Sequence, residues 1–326
     1  MLVKLAYPKD GFSFADFKAD VTAIITGGVT TVNDLSTSAS KTDSAVIGTN
    51  TSGLFTLEDA ASHTFSKTHH LDATKKTYFR LAYNDSLGRM TQLLIAQDYI
   101  SGTNTLVNSG TTSSANIVPM TYVPGDDYMP AKVYVIVTKY GFYITSFVQS
   151  IVTYNGALPG FGLFDISETG LMKLESEMSR HVAIQPTTYG YVRSPWYLTV
   201  GNSNSTYTKT YASRNEKTGP VLFGNSMSQS YDTLQDDGTW LVYETPYHYQ
   251  DYYHRYDTWK VYGVNYLGSF LSGAGSPLKQ FDTYTGDDGS TKMVFSQYGA
   301  RATQSSTPDG SGSSSQNFRI SIVIEE

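Results

Sequence analysis

The residues from 240 to 266 form the most aromatic stretch of this chain, and they limit how it can fold. The stretch reads WLVYETPYHYQDYYHRYDTWKVYGVNY and contains ten Trp or Tyr residues but only five formally charged ones. A buried aromatic side chain removes about 150–250 Å² from water. Ten of them therefore account for roughly 2,000 Å², which is the scale of a standard protein–protein interface. We expect these rings to fill a core, to cover a partner, or to do both.

Charge and cysteine content exclude several classes of function. The 326 residues include 23 Lys or Arg and 29 Asp or Glu, which gives a net charge of −6, and no basic run occurs. Nucleic-acid binding draws on clustered Lys and Arg, so no nucleic-acid partner is expected. The chain has no Cys, which excludes disulfides and thiolate metal sites. Only 16% of the residues are charged, a composition common in strand-rich proteins of assemblies and of cell or virion exteriors.

Targeting signals are not predicted. No apolar segment of a signal peptide precedes Pro8 and Asp10, and no later stretch approaches the roughly eighteen apolar residues that a membrane span needs. We therefore expect neither classical secretion nor membrane insertion.

One amphipathic helix is predicted near the N-terminus, over residues 13–25. Apolar residues at helical spacing include Phe14 and Phe17, Ser13 is placed to cap the helix, and Gly27-Gly28 is placed to end it. The helix either docks on a neighbouring subunit or packs on its own domain. The following residues, 29–53, are rich in Ser and Thr and indicate an arm or an ordered loop.

Beyond Thr77 the hydrophobic pattern has a period of two, which predicts short strands. Turns are predicted at Lys139-Tyr140-Gly141, Asp237-Gly238 and Asp288-Gly289. Residues 101–114 are predicted as a polar loop, and residues 171–180 as either a short helix, which is favoured, or a strand pair. The fold class is therefore mainly β, with sandwich or barrel-like layers of short antiparallel strands and one N-terminal helix. The predicted strands are 77–83, 90–97, 131–137, 161–166, 189–192, 196–200, 240–244, 259–266, 293–296 and 318–324.

Four segments are predicted from these patterns. They are an N-terminal helix with a Ser/Thr-rich docking segment (1–76), a first β segment (77–130), a main β body with a Tyr-rich loop (131–304), and a low-complexity tether with a C-terminal strand (305–326).

The first ninety or so residues resemble the opening of structural virion proteins of tailed bacteriophages. The resemblance lies in the runs FSFADFKADVTAIITGG, IGTNTSGLF and FSKTHHLDATKKTYFRLAY and in the turn Asp34-Leu35-Ser36. It implies a tail, baseplate, neck or capsid-decoration component, located in the virion and made in the host bacterial cytoplasm. No catalytic motif belongs to the resemblance, and the Tyr-rich second half departs from it.

Residue types that carry chemistry are present, but their spacing indicates no enzyme. His69 and His70 are adjacent and would face opposite ways in a strand, while His248 and His254 lack helical metal spacing. The acidic turns at 126–127, 236–237 and 287–288 do not match a calcium loop, and GNSMS at 224–228 lacks the closing Gly of a nucleophile elbow. We therefore expect no catalytic residue, metal or cofactor. The alternatives that remain open are a weak cation site at His248 and His254 and a carbohydrate-active enzyme.

The aromatic run permits three interpretations: protein contact, glycan binding, or single-stranded nucleic-acid binding, which its acidic residues disfavour. Because Pro246 interrupts a central strand, residues 247–256 are predicted as a protruding loop. We expect a non-enzymatic virion subunit whose partners are its own copies and other virion proteins; the alternative is a receptor- or glycan-binding adhesion module that contacts a host glycan. The predicted interaction residues are Tyr247, Tyr249, Tyr252, Tyr253, Tyr256, Trp259, Phe14 and Phe17.

Overall fold

Strands and one α-helix make up the part of the chain that the structure describes. This computed structural model describes residues 1–111, 117, 119–123, 126–130, 132–147, 160–168, 181–186, 196–200, 219–222, 243–250, 256–270, 281–286, 288–296 and 317–326. The helix is α1 (Phe14–Thr26). The strands are β1 (Leu2–Leu5), β2 (Ala45–Ile47), β3 (Phe55–Asp59), β4 (Thr64–His69), β5 (Asp72–Asn84), β6 (Arg89–Ile100), β7 (Thr105–Thr111), β8 (Met120–Val123), β9 (Asp126–Pro130), β10 (Lys132–Val137), β11 (Gly141–Phe147), β12 (Gly160–Glu168), β13 (His181–Pro186), β14 (Trp196–Val200), β15 (Gly219–Leu222), β16 (Tyr243–Gln250), β17 (Tyr256–Phe270), β18 (Thr283–Thr285), β19 (Thr291–Ser296) and β20 (Asn317–Glu325).

The described strands form one large sheet, one smaller sheet and one hairpin. The large sheet has the order β18-β19-β20-β17-β12-β11-β10-β1-β2, with β13 and β14 branching from β12, and β15 and β16 branching from β17. The smaller sheet has the order β3-β4-β5-β6-β7, and β8 pairs with β9. All of these pairings are antiparallel. The predicted mainly β class with an N-terminal helix is confirmed.

The two larger sheets share an aromatic core, as in a sandwich. Phe79 of β5 stacks on Phe65 of β4 at 5.2 Å between ring centroids and on Phe142 of β11 at 5.0 Å. Phe55 of β3 meets the Phe142 ring edge-on at 6.1 Å. These four rings are buried, and their burial between the two sheets helps to hold the sheets together.

Helix α1 packs on its own chain. Ser13 caps it by accepting a hydrogen bond from the Asp16 amide at 3.4 Å, and Gly27 ends it in the left-handed region at φ 82°, as the pattern predicts. Phe17 is fully buried and contacts the rings of Tyr7 and Tyr83. Phe17 is therefore a core residue, and the prediction that it contacts a partner is wrong. Phe14 is partly buried against the Phe17 ring at 5.6 Å, and its interaction role stays a prediction.

The Ser/Thr-rich residues 29–53 form an ordered connection held by the same chain. Val29 and Leu35 are buried in the core. The Asp20 carboxylate of α1 accepts hydrogen bonds from the Ser36 amide and hydroxyl, both at 2.7 Å, and from the Tyr7 hydroxyl at 2.6 Å. These contacts fix the connection to the helix without a neighbouring subunit.

Several predicted strands and turns are confirmed. Strand β14 has the predicted bounds, and residues 77–83, 90–97, 161–166, 259–266, 293–296 and 318–324 lie within longer strands. The Thr138 amide donates to the Gly141 carbonyl at 2.8 Å and closes the predicted hairpin. Gly289 has φ 77° between β18 and β19, the conformation that an Asp-Gly turn requires. Residues 171–180, 189–192, 237–238 and 305–316 lie outside the described residues.

Two sequence interpretations need correction. Residues 101–114 were predicted as a polar loop, but β7 occupies Thr105–Thr111 and pairs with β6. Backbone hydrogen bonds hold such an edge strand, and these bonds form equally well whether the side chains are polar or apolar. The predicted boundary at 76/77 falls inside β5, and β1 pairs with β10, so the first segment and the main β body share one sheet.

Candidate functional site: a buried polar cluster

A turn between β4 and β5 brings two histidines to the rim of the sandwich. The register of these strands shifts between Thr68 and His69, and only His70 and Leu71 separate β4 from β5. Because the strand ends at His69, the expected opposite orientation of the two histidines does not occur. Their rings stack, with centroids 5.0 Å apart and an interplanar angle of 24°. The Leu71 amide donates to His69 Nδ1 at 3.2 Å and fixes the turn.

Two oppositely charged side chains lie beside apolar residues on the inward faces of their strands. Alternation along β4 places Lys67 on the same side as Phe65, and alternation along β12 places Asp165 on the same side as Leu163. All four residues are buried. Lys67 Nζ lies 2.7 Å from Asp165 Oδ1, and both side chains are 0% exposed. The charged pair therefore lies between the two sheets, next to the apolar core.

Every proton of the Lys67 ammonium has an acceptor. Besides Asp165, Nζ donates to the carbonyl oxygens of Thr68 and Lys139, each at 3.0 Å. Three acceptors match the three donors of an ammonium group. One acceptor lies on β12, one on β4 and one on the β10–β11 turn, so Lys67 links both sheets at this point.

The second oxygen of Asp165 is held by His70. The His70 amide donates to Asp165 Oδ2 at 2.8 Å, and His70 Nδ1 lies 2.6 Å from the same oxygen. A carboxylate oxygen only accepts, so the contact assigns the proton to His70 Nδ1. Both carboxylate oxygens of Asp165 thus have donors from the smaller sheet.

Aromatic rings surround this group on its outer side. The His70 ring packs edge-on against Tyr140 at 4.9 Å and Tyr262 at 4.5 Å, and these two tyrosine rings stack at 5.9 Å. Gly263 has φ 75°, and a Cβ atom there would lie 2.8 Å from the Tyr140 ring. Glycine at this position therefore permits the close approach of β17 to Tyr140. We call the set Lys67, His69, His70, Asp165, Tyr140 and Tyr262 the Lys67 cluster.

Burial dominates the electrostatics of Lys67. Desolvation lowers the pKa of its ammonium below the ordinary lysine value, and the facing Asp165 carboxylate offsets part of that shift. A buried ion pair is costly to assemble, whereas removal of one partner leaves an uncompensated charge. The pair therefore matters more to the fold than a surface ion pair would.

Three residues of the cluster offer potential metal ligands. The ligand atoms of His69, His70 and Asp165 lie within 4.8 Å of one another. However, hydrogen-bond donors already approach both Asp165 oxygens, and the Lys67 ammonium supplies a positive charge at 2.7 Å. A cation would have to displace these donors and face that charge. The arrangement fits a closed hydrogen-bonded cluster better than a metal site.

The predicted aromatic interaction residues occupy strands as far as they are described. Strand β16 contains Tyr247 and Tyr249, and its register places Tyr247 opposite Trp259 and Gln250 opposite Tyr256 of β17. The predicted loop is therefore wrong for residues 247–250. The register shifts between Glu244 and Pro246, and such an irregularity accommodates a residue that lacks an amide proton. Tyr252 and Tyr253 lie outside the described residues.

The other candidate sites are not brought together in the described part of the chain. His248 is in β16, while His254 and residues 224–228 and 236–237 lie outside the described residues. Residues 126–127 are in β9. Asp288 Oδ1 accepts from the Ser290 amide at 3.0 Å and from its hydroxyl at 2.6 Å, so turn chemistry accounts for this carboxylate.

Sequence reasoning predicted none of the Lys67 cluster as a site: it set aside His69 and His70 as a metal pair and did not single out the other four members. One signal was present: Lys67 occupies the inward position of an alternating strand between Phe65 and His69, where a lysine requires a buried partner. Asp165 could not be identified as that partner, because 98 residues separate the two.

The comparisons with known proteins leave the chain's family open. No protein-family model matches the sequence, and no curated protein matches it significantly. Within the described residues, no helix is both long and apolar enough to cross a bilayer. The resemblance to tailed-phage virion proteins therefore depends on the sequence pattern of the first ninety or so residues alone.

Proposed function

We propose that this chain is a non-enzymatic structural subunit that assembles through protein–protein contacts. The observation that carries the proposal is the closed Lys67 cluster, in which Lys67 and Asp165 are fully buried. Their hydrogen-bonding groups are occupied by each other, by His70 and by backbone carbonyl oxygens. Catalytic groups need access to a substrate, and these groups have none. Their arrangement supports a role in holding the two sheets together.

The surface offers edges and apolar turns for contact with other subunits. Strand β2 ends the main path of the large sheet, and its Ile47 is 44% exposed. An open strand edge can pair with a strand of another chain. Leu71, Leu87 and Ile100 are exposed at turns of the smaller sheet. Such residues are suited to burial against a neighbour.

We further propose that the assembly is a tailed-phage particle, in which the chain is a tail, baseplate, neck or decoration component. Support comes from the sequence resemblance and from the composition of the chain, of which only 16% of the residues are charged. A subunit surrounded by neighbours has less need of charge to remain apart from them. The partners would be copies of the chain and other virion proteins.

An edge-strand variant tests the proposed assembly. Ile47→Lys places a charge on β2, which is an edge strand in the described part of the large sheet, and lysine at such positions blocks strand pairing. We expect the sedimentation profile to shift towards the monomer while the circular dichroism spectrum is unchanged. The control is Thr49→Lys, because Thr49 is also exposed but lies beyond the strand. A wild-type protein that is monomeric and binds a glycan would contradict assembly and favour an adhesion module.

A further inference from the structure

We propose that Lys67 and Asp165 form an intramolecular isopeptide bond between the two sheets. Lys67 Nζ and Asp165 Oδ1 are 2.7 Å apart, and neither side chain is exposed. The bond would join β4 of the smaller sheet to β12 of the large sheet across 98 residues of sequence. It requires only groups that this chain supplies and does not depend on the proposed role in an assembly.

The fold holds the reacting groups in place. Lys67 Nζ is positioned by the carbonyl oxygens of Thr68 and Lys139, and Asp165 Oδ2 by two donors of His70. The reacting carbon, Asp165 Cγ, is one covalent bond beyond the oxygen that Nζ contacts. Fixing an amine beside a carboxyl group converts a bimolecular reaction into an intramolecular one, with effective molarities of about 10⁵ M or more in favourable cases.

The condensation balances without an oxidant or a co-reactant. A proton moves from the Lys67 ammonium to Asp165 Oδ1, which gives a neutral amine and a carboxylic acid. The Nζ lone pair then attacks Cγ, a C–N bond forms, and the C–Oδ1 bond breaks. Oδ1 leaves as water with its own proton and a second proton from Nζ. The product is a secondary amide, and nothing is oxidised or reduced.

His70 is suited to assist the attack. Negative charge develops on Asp165 Oδ2 when Nζ adds to Cγ, and the His70 amide and Nδ1 both point at that oxygen, at 2.8 and 2.6 Å. Two donors fixed on a developing oxyanion stabilise the transition state. After the reaction the same donors satisfy the new amide oxygen, and the remaining N–H can donate to the Lys139 or Thr68 carbonyl.

Burial favours the reaction over the ion pair. Desolvation lowers the pKa of Lys67, which raises the share of the neutral, nucleophilic amine. Condensation also replaces two buried charges by one neutral amide and so removes their desolvation penalty. The released water passes to bulk solvent, and the burial of both side chains opposes hydrolysis.

Other lysine–acid pairs in the described residues have similar distances but face solvent. Lys18 Nζ is 2.9 Å from Asp85 Oδ1, and that aspartate is 70% exposed. Lys76 and Glu58 are 2.8 Å apart and both partly exposed. Water stabilises the charged forms of these pairs and so opposes condensation. We therefore expect condensation at the Lys67–Asp165 pair and not at these two.

The mass of the full chain, measured under denaturing conditions, tests the proposal. We expect a mass about 18 Da below the sequence value, the mass of one water lost in a covalent modification. A tryptic digest should contain residues 42–75, uncut at Lys67, joined to residues 140–173. Asp-Gly sequences such as Asp288-Gly289 can also lose water by cyclisation, but only the isopeptide bond joins these two peptides.

Variants separate the bond from the ion pair. Lys67→Arg keeps the positive charge but cannot form the amide, so the mass deficit and the joined peptides should both disappear. Lys18→Arg is the matched control and should keep them. His70→Gln should slow bond formation after refolding by about 100-fold, the lower end for loss of one positioned donor to an oxyanion. A wild-type protein with the full sequence mass and two separate peptides would overturn the proposal, whether or not any variant folds.

Discussion

Two buried aspartates in this protein are stabilised in different ways. Asp20 on α1 accepts from neutral donors near in sequence, the Tyr7 hydroxyl and the Ser36 amide and hydroxyl. Asp165 on β12 accepts from an ammonium group and a histidine of the other sheet, 98 and 95 residues away. Asp20 therefore fixes a local connection, whereas Asp165 links distant strands. At the contact between the two sheets the partners are therefore oppositely charged groups, which are also the groups that the proposed isopeptide bond would join.

The largest expected effect comes from removing the Asp165 carboxylate. Asp165→Ala removes the partner of Lys67, whether the two side chains are paired as ions or joined by the proposed bond, and leaves the ammonium buried without a counter-charge. The free energy of unfolding should fall by about 3–5 kcal/mol or more. Urea denaturation followed by circular dichroism measures this loss. Asp85→Ala removes the exposed partner of Lys18 and should have little effect. Equal losses in the two variants would show that burial of the pair does not matter.

Removal of the Asp20 carboxylate should have a smaller effect. Asp20→Ala leaves the buried Tyr7 hydroxyl and the Ser36 donors without an acceptor, which costs about 1–3 kcal/mol for a buried donor. Urea denaturation followed by circular dichroism measures this loss of stability as well. Tyr7→Phe removes only one donor and should cost less than Asp20→Ala. If Asp20→Ala lowers the free energy of unfolding more than Asp165→Ala does, the conclusion that Asp165 is the more important of the two aspartates is wrong.

A substitution beside the Lys67 cluster tests the packing of its aromatic wall. Gly263→Ala places a Cβ at φ 75°, 2.8 Å from the Tyr140 ring, and the left-handed conformation alone costs an L-residue about 1–2 kcal/mol. The thermal unfolding midpoint should fall. Gly88→Ala is the matched control, because Gly88 has φ 55° with nothing within 4 Å. If the variants lose the same stability, the contact with Tyr140 contributes nothing.

The smallest expected effect concerns an exposed aspartate that, like Asp20, uses neutral donors. Asp34 accepts from the amides and hydroxyls of Thr30 and Thr31, and the Thr30 amide is the main cause that lowers the pKa of Asp34 to about 2. Because the folded pKa lies below the unfolded value, the stabilisation is present above pH 4 and is lost as pH falls towards 2. Asp34→Asn should reduce the slope of stability against pH in this window. An unchanged slope would contradict the assigned pKa.

Local features of the fold were predictable from the sequence, and the cluster was not. Helix α1 has its cap at Ser13 and its stop at Gly27, and both signals lie within a few residues of the structure they determine. Most predicted strands follow from the alternation of apolar and polar residues, and this pattern also lies within the strand itself. Lys67 and Asp165 meet only because β4 and β12 lie on facing sheets. A single sequence carries no signal for that pairing.

The Tyr-rich stretch shows a second limit of sequence reasoning. Pro246 suggested a loop, yet β16 continues past it with a shift of register. A shift of this kind depends on the partner strand β17, which the local pattern does not reveal. Tyr262, from the same stretch, lies against His70 at 4.5 Å, so at least one of the ten aromatic residues serves the chain's own interior.

The mass of the purified wild-type protein in solution, measured by light scattering over a concentration series, tests the proposed role most directly. An assembly subunit with open strand edges should show a mass that rises with concentration, or a fixed multiple of the 35.8 kDa chain. A mass of one chain at every concentration would contradict a self-assembling structural subunit.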